Sequence, residues 1–300
     1  MRTVKKGSRV VLLITLAAML LIASFALAGC GGDDPVVEGS GDGGDAPVAA
    51  ALSGVVKTGG STSVEKVMNS LIFQFQGDNP DVTIDYEMNG SGDGIKGVID
   101  GLYEIGHSSR DLKTDGSEEG LEVTAYAIDG IAVVVHSSNV VEDLTTDQLV
   151  GIYTGTITNW SEVGGASAPI TVVTREDGSG TRDAFAEIIG LEKGGSNIVA
   201  SASIEDSTGK VQTNVSGNQN AIGYMSFSDV DASQVNTVKY NGVEISEDTL
   251  KGGSYALKRE FLLLTKSGAD LTPAAAAFID FVMSDAGQKL VSDNKLLSVK

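Results

Sequence analysis

Cysteine, histidine and basic residues are all scarce in this chain, and each shortage removes a class of function. One cysteine in 300 residues rules out any intramolecular disulfide, so stability has to come from apolar cores. The two histidines, His107 and His136, have no second histidine or cysteine at ligand spacing, so no metal site and no cofactor are expected. There is no Gly-x-Ser-x-Gly elbow or His-Glu-x-x-His helix, and neither histidine stands in a nucleophile context, which leaves an exported hydrolase as the weaker reading. Only 21 Lys and Arg face 40 Asp and Glu, for a net charge of −19. So acidic a chain is not built to bind nucleic acid or an anionic lipid surface. It can still bind a small anion, because exposed charges are screened within ~8 Å at physiological salt, whereas oriented N–H groups and a buried arginine act at contact. The lone Trp160 reads as a packing residue.

What is present begins with an export pattern at the amino end. Arg2, Lys5, Lys6 and Arg9 precede an apolar run from Val10 to Ala28, and Leu27-Ala28-Gly29 leads into Cys30. That arrangement is similar to a bacterial lipobox: residues 1–29 would be a signal peptide and Cys30 the lipidated residue that anchors the protein to the extracytoplasmic face of the cell membrane. An uncleaved membrane span is the competing reading, since the run is long enough to cross a bilayer. Residues 30–50, rich in Gly, Asp, Pro and Ala, are expected to be a disordered tether. About 250 residues remain, enough for two domains of ordinary size.

Beyond the tether, β-rich runs alternate with helical patterns. Val82 to Tyr86, Val123 to Ala127, Ile131 to His136, Ile170 to Thr174, Ile222 to Phe227 and Tyr255 to Leu264 are the runs, an α/β signature with a largely parallel sheet. Ala125 to Ile128 and Ile131 to His136 flank Asp129-Gly130 and are read as the first crossing between two domains, with the return between Ser226 and Tyr255. Domain I is thus expected to comprise 51–134 and 230–300, and domain II 135–229. Thr272-Pro273 predicts a helix start, cap followed by an N1 proline, for Ala274 to Met283.

Three loops carry the chemistry. Gly59-Gly60-Ser61-Thr62-Ser63, Asn89-Gly90-Ser91-Gly92-Asp93-Gly94 and Arg175-Glu176-Asp177-Gly178-Ser179-Gly180-Thr181-Arg182 each follow a strand pattern and precede a helical one. A helix N-terminus presents unpaired N–H groups and a positive dipole end, and glycine lets backbone approach a ligand closely. Any one such loop is equally well an ordinary capped helix, with Ser179 or Thr181, or Ser61 or Ser63, as the cap. Three gathered at the carboxyl ends of strands in an α/β sheet point to a cradle for a small oxyanion. Arg175 would add a planar fork matched to two oxygens of a tetrahedral anion. Asp177 is expected to orient Arg175, and Arg182, whose charge opposes the helix dipole, to need a partner or solvent.

In order and spacing these loops, together with Glu104 to Arg110, Leu149 to Gly155, Thr158-Asn159-Trp160, Ala221 to Tyr224 and Ala286 to Leu290, resemble the phosphate-binding proteins of bacterial phosphate ABC importers. The resemblance runs from about Ser53 to the C-terminus. It implies a two-lobed periplasmic-binding-protein fold of type II with the ligand in the cleft. It also implies a monomeric, non-enzymatic receptor for inorganic phosphate whose partner is a membrane permease. By the same resemblance, Thr62, Ser63, Ser91, Ser109, Arg175, Ser179, Gly180 and Thr181 would contact phosphate, with Ser61, Arg110 and Asp177 secondary. One position departs from the best-known members, which carry at the place of Ser109 an aspartate that accepts the ligand's proton and rejects sulfate. A serine hydroxyl both donates and accepts, so a receptor for tungstate, molybdate or sulfate stays open. A sensor or adhesin that has lost transport is a further alternative.

Overall fold

The computed structural model describes residues 51–300. The expected signal peptide, the Cys30 anchor and the 30–50 tether lie outside the described residues. The chain opens with strand β1 (Gly54–Gly60), helix α1 (Glu65–Asp78), β2 (Val82–Met88), α2 (Ser91–Ile99) and β3 (Ile105–Ser108). It continues through β4 (Leu121–His136), β5 (Asp143–Leu144), α3 (Thr146–Thr154), β6 (Thr171–Arg175), α4 (Gly180–Ile189), β7 (Ser203–Glu205), α5 (Thr208–Gly217), β8 (Ala221–Ser226) and β9 (Val235–Tyr240). The last elements are α6 (Glu247–Lys251), β10 (Lys258–Lys266), α7 (Pro273–Met283), α8 (Asp285–Asp293) and β11 (Leu297–Ser298).

The strands run in the order β2-β1-β3-β10-β4-β8-β6-β7. Pairing is parallel at the flanks, β2 with β1, β1 with β3, β8 with β6 and β6 with β7. In the middle, β10 pairs antiparallel with both β3 and β4, and β4 antiparallel with β8. The sheet is therefore mixed rather than largely parallel, because its two long central strands run against their neighbours. The two runs flanking Asp129-Gly130, read as a crossing between domains, are continuous. Residues 121–136 form one strand, whose first part pairs with β10 and whose second part, from Ile131, pairs with β8 and β9.

That strand passes between two cores. One is built from residues between Val56 and Ala127 and between Phe261 and Leu296, the other from residues between Ile131 and Leu257. The stretch 230–257, grouped with the first domain on sequence, packs in the second core through Val235, Val238, Tyr240, Ile245, Leu250, Tyr255 and Leu257. The physical reason is β9. It pairs with both β4 and β5, so the chain stays on that side until β10 carries it back.

Helices form where the pattern predicts them. Val67, Met68, Leu71 and Phe75 recur at helical spacing on α1 and are all buried. Thr272 caps α7 by accepting from the Ala275 N–H, with Pro273 in the first turn. Among the described residues no helix is long and apolar enough to cross a membrane.

Candidate functional site

Four helix N-termini converge between the two cores. Ser61 accepts from the Ser63 N–H and caps a short 3-10 turn, Thr62–Val64, that leads into α1. Ser91 opens α2. Ser179 caps α4 by accepting from the Arg182 N–H, and Ser207 caps α5 by accepting from the Lys210 N–H. The first two belong to the side packed with β1 and β3, the last two to the side packed with β6 and β8. Helix starts from both sides thus meet, and the Gly92 N–H of α2 donates to the Gly178 carbonyl across the cleft at 2.9 Å.

Glycine is required where these backbones meet. Gly60, at φ 141°, lies so close to β3 that a Cβ would stand 2.2 Å from the His107 carbonyl oxygen. At Gly180 a Cβ would stand 2.2 Å from Ser91 Oγ and 2.7 Å from Ser109 Oγ. Any side chain at position 180 would displace two hydroxyls that face it from the other side of the cleft.

The hydroxyls form two buried clusters, which Arg259 joins into one network. Ser61 Oγ donates to Ser109 Oγ at 2.8 Å, and Ser109 Oγ lies 3.3 Å from Ser91 Oγ. Ser63 Oγ lies 2.6 Å from Thr181 Oγ1 and 3.0 Å from Thr208 Oγ1. Arg175, only 2% exposed, enters at the end of β6. Its Nη2 donates to Thr62 Oγ1 at 3.1 Å and its Nη1 to Thr208 Oγ1 at 3.3 Å. Glu176 holds the guanidinium through two contacts of 2.8 Å. Thr62, Ser63, Ser91, Ser109, Arg175, Ser179, Gly180 and Thr181 are all brought together and buried, as is Ser61.

Two secondary expectations fail in the structure. Asp177 does not orient Arg175; its side chain is 94% exposed and pairs with Arg182, while Glu176 takes the orienting role. One residue further along a turn, it points away from the β6 end. Arg110 is no free second cation. Its guanidinium forms a fork with Glu118 at 2.7 and 2.8 Å and lies within ion-pair distance, 3.0 Å, of Asp183. Burial works against the Arg110 charge, but Glu118 and Asp183 outweigh it and its pKa is raised. Arg110 lies beside the network, not in it.

Two groups in contact with the network were not anticipated from sequence. Thr208, at the start of α5, bonds both Ser63 and Arg175. Arg259, on β10, donates from Nη1 to Thr181 Oγ1 at 2.7 Å and to the Ser109 carbonyl at 3.3 Å, and its Nη2 bonds Asp129 at 3.0 Å. The available signal was a charged residue, Asp129, inside the apolar stretch 125–136, and Arg259 inside 255–264. A buried charge in such a run calls for a partner.

His107 is fully buried beneath Gly60, with Nε2 against the Thr58 hydroxyl and no contact to the serine hydroxyls; burial lowers its pKa to about 3. It is no base for those serines. Trp160 packs in the 131–257 core and donates to the Asn220 carbonyl at 3.0 Å. Among the described residues no three His, Cys, Asp or Glu side chains cluster as a metal site would require.

A mixed sheet crossed by two central strands, with helix N-termini from both halves aimed at one hydroxyl-rich, arginine-bearing volume, defines a two-lobed solute-binding protein. The comparisons agree. The profile of the PBP superfamily domain matches residues 45–286. The phosphate-binding protein PstS of Bacillus subtilis is 30% identical over 98% of this chain and 95% of its own length. Among solved structures, a protein assigned as a phosphate ABC transporter substrate-binding protein, from Clostridium perfringens with bound phosphate, is 45% identical; the match covers 82% of this chain and all of that one, with a TM-score of 0.79. An ABC-type phosphate transport receptor from Vibrio cholerae is 33% identical over the same shares, with a TM-score of 0.69. The chain belongs to the PBP superfamily and, within it, to the PstS family of phosphate-binding proteins.

Proposed function

We propose that this protein captures inorganic phosphate between its two lobes outside the cytoplasm and hands it to the permease of an ABC importer. The observation that carries the reading is the buried Arg175 fork, held by Glu176 and surrounded by hydroxyls from both lobes at four helix N-termini. A guanidinium fork, hydroxyls and helix N-terminal N–H groups are the donors that a tetrahedral anion accepts. Phosphate is what the names of the relatives from Bacillus subtilis and Vibrio cholerae give as their ligand. The ligand contacts are assigned to Thr62, Ser63, Ser91, Ser109, Arg175, Ser179, Gly180 and Thr181, with Ser61 supporting Ser109. No histidine reaches a serine hydroxyl of this network, which favours binding over turnover.

The lobes are assigned as 51–130 with 258–300 and as 131–257, following the two cores and the crossings by β4 and β10. Attachment through a lipid on Cys30, after loss of residues 1–29, completes the reading; the body acts as a monomer. Cys30→Ser should release the protein from the membrane fraction or leave an unprocessed precursor, and unchanged detergent partitioning would rule the anchor out.

Calorimetric titration of the full, anion-stripped chain with phosphate tests the function. A second reading, another oxyanion, is favoured by one observation: position 109 in the network is a hydroxyl bonded to Ser61 and not a carboxylate, while Glu176 and Asp129, which touch its arginines, are each paired with one. Sulfate, molybdate and tungstate in the same titration separate the two.

A further inference from the structure

We infer that Arg259, held by Asp129 across the two crossing strands, is a positioning residue of the anion site that fixes the Thr181 hydroxyl as a donor to the ligand. The inference rests on the phosphate-binding reading of that site and adds to it a residue on neither lobe's loops.

The placement is set by register. Asp129 on β4 and Arg259 on β10 face each other in the antiparallel ladder, at the point where both strands pass between the cores. Arg259 Nε and Nη2 donate to Asp129 Oδ2 at 3.2 and 3.0 Å, and Ser226 Oγ donates to Asp129 Oδ1 at 2.9 Å. The guanidinium also lies over the Phe261 ring, 5.3 Å from its centroid. Both side chains of the pair are almost wholly buried. So anchored, the guanidinium has Nη1 left for the site: one contact goes to Thr181 on one lobe, the other to the Ser109 carbonyl on the other.

The proton logic follows from chemistry. A guanidinium can only donate, and a hydroxyl has one proton and two lone pairs. Thr181 Oγ1 must therefore accept from Arg259, which directs its own proton elsewhere, to Ser63 Oγ at 2.6 Å or to an anion between them. The Arg259–Asp129 pair is neutral overall but turns its positive end, Nη1, toward the site, so a dianion gains more from it than a monoanion does. The charged groups facing Arg259 are Asp129 in contact, with Arg175 and Asp229 further off. The pair thus lies on both crossings and touches both lobes.

The test is titration of the full chain with inorganic phosphate across the pH range in which the ligand passes from monoanion to dianion. Arg259→Lys keeps the charge but loses the fork, and Asp129→Asn/Arg259→Gln removes both charges without leaving one buried alone. The first should weaken binding about tenfold and the second on the order of 30-fold or more, with thermal unfolding measured alongside. In the double variant the rise in affinity toward the dianion should flatten, a change that mere loosening of the hinge does not produce. In a Thr181→Val background, Arg259→Lys should cost little further, within about twofold. Full, multiplicative losses in that background, or an unchanged pH profile, would overturn the inference while leaving the phosphate reading intact. Failure of the unsubstituted chain to bind phosphate would instead remove the reading on which the inference rests.

Discussion

Arg175 and Thr62 stand 113 positions apart in the sequence, and the Arg175 Nη2 donates to the Thr62 hydroxyl at 3.1 Å. One belongs to the end of β6 in the 131–257 core, the other to the turn before α1 on the opposite side. This hydrogen bond is one of several that join the two halves of the cleft, beside those of Ser63 to Thr181 and Thr208, and the same guanidinium faces the volume assigned to the ligand.

Arg175→Ala should abolish tight anion binding. Losing a charge-assisted fork costs on the order of 2 to 5 kcal/mol, or roughly 30- to 4000-fold in affinity. Because Arg175 is buried and Glu176 would lose its partner, a measurable fall in thermal stability should accompany it. Arg175→Lys should recover only part of the affinity, since an ammonium cannot offer two parallel donors. Calorimetry reads both. Binding within about threefold of the parent would show that Arg175 serves only its protein partners, Glu176, Thr62 and Thr208.

Ser109→Asp tests selectivity. A carboxylate there would accept the proton of a protonated phosphate and repel an ion that carries none. The Ser61 hydroxyl now bonded to Ser109 Oγ would be available to it. Phosphate binding should persist and sulfate binding fall, with a steeper dependence on pH. If both affinities and both profiles stay as they were, position 109 does not face the ligand, and Asp93 is the next residue to substitute.

The sequence disclosed the loops more fully than the frame that carries them. Gly60, Ser61, Ser91, Ser179, Gly180 and Arg175 were legible because cap residues and glycines sit in short segments where local backbone chemistry decides the conformation. The crossing at Asp129-Gly130 was legible as two apolar runs, but its continuity as one strand was not, because that rests on pairing with β10 and β8 far along the chain. Arg259 lies 130 residues from the aspartate that neutralises it, and no local pattern encodes such a pairing. The packing of 230–257 likewise depended on β9 choosing β4 and β5 as neighbours, a long-range choice invisible to periodicity.

One fully buried group, His107, and one half-buried group, Asp229, should give stability a limb on each side of a plateau. His107, lowered to about 3 by burial, is neutral in the fold over a range where the unfolded chain binds a proton, so stability falls as pH drops below the ordinary histidine value of about 6.5. Asp229 is pushed up to about 8, first by burial and then by the Asp129 charge, so the fold holds a proton that the unfolded chain releases near pH ~4. Its contribution is therefore lost as pH rises toward 8. Each limb has a limiting slope of ~1.4 kcal/mol per pH unit, and between about 4 and 6.5 the two oppose. Urea midpoints against pH should fall less steeply on the acid side in His107→Gln, the remainder coming from carboxylates held low such as Glu118, and should lose the alkaline limb in Asp229→Asn. An acid slope unchanged in the first variant, or an alkaline limb that survives the second, contradicts the assignment.

The ion pairs bridging the cleft should differ sharply in worth. Lys193 and Asp115 meet at 2.8 Å but both are well exposed, so Lys193→Ala should leave affinity and stability almost unchanged. Arg110 is buried between Glu118 and Asp183, and Arg110→Ala would leave the Glu118 carboxylate without its fork, a loss of ~3 kcal/mol in unfolding free energy. Denaturant unfolding and the phosphate dissociation rate, each at low and high salt, distinguish the two. Equal effects would mean that burial does not govern these contacts.

The most direct test of the account is calorimetric titration of the full, anion-stripped chain with phosphate, sulfate, molybdate and tungstate. The account predicts one phosphate per chain, bound tightly in the unsubstituted protein and weakly in Arg175→Ala. Absence of phosphate binding, or phosphate binding that Arg175→Ala leaves intact, would contradict it.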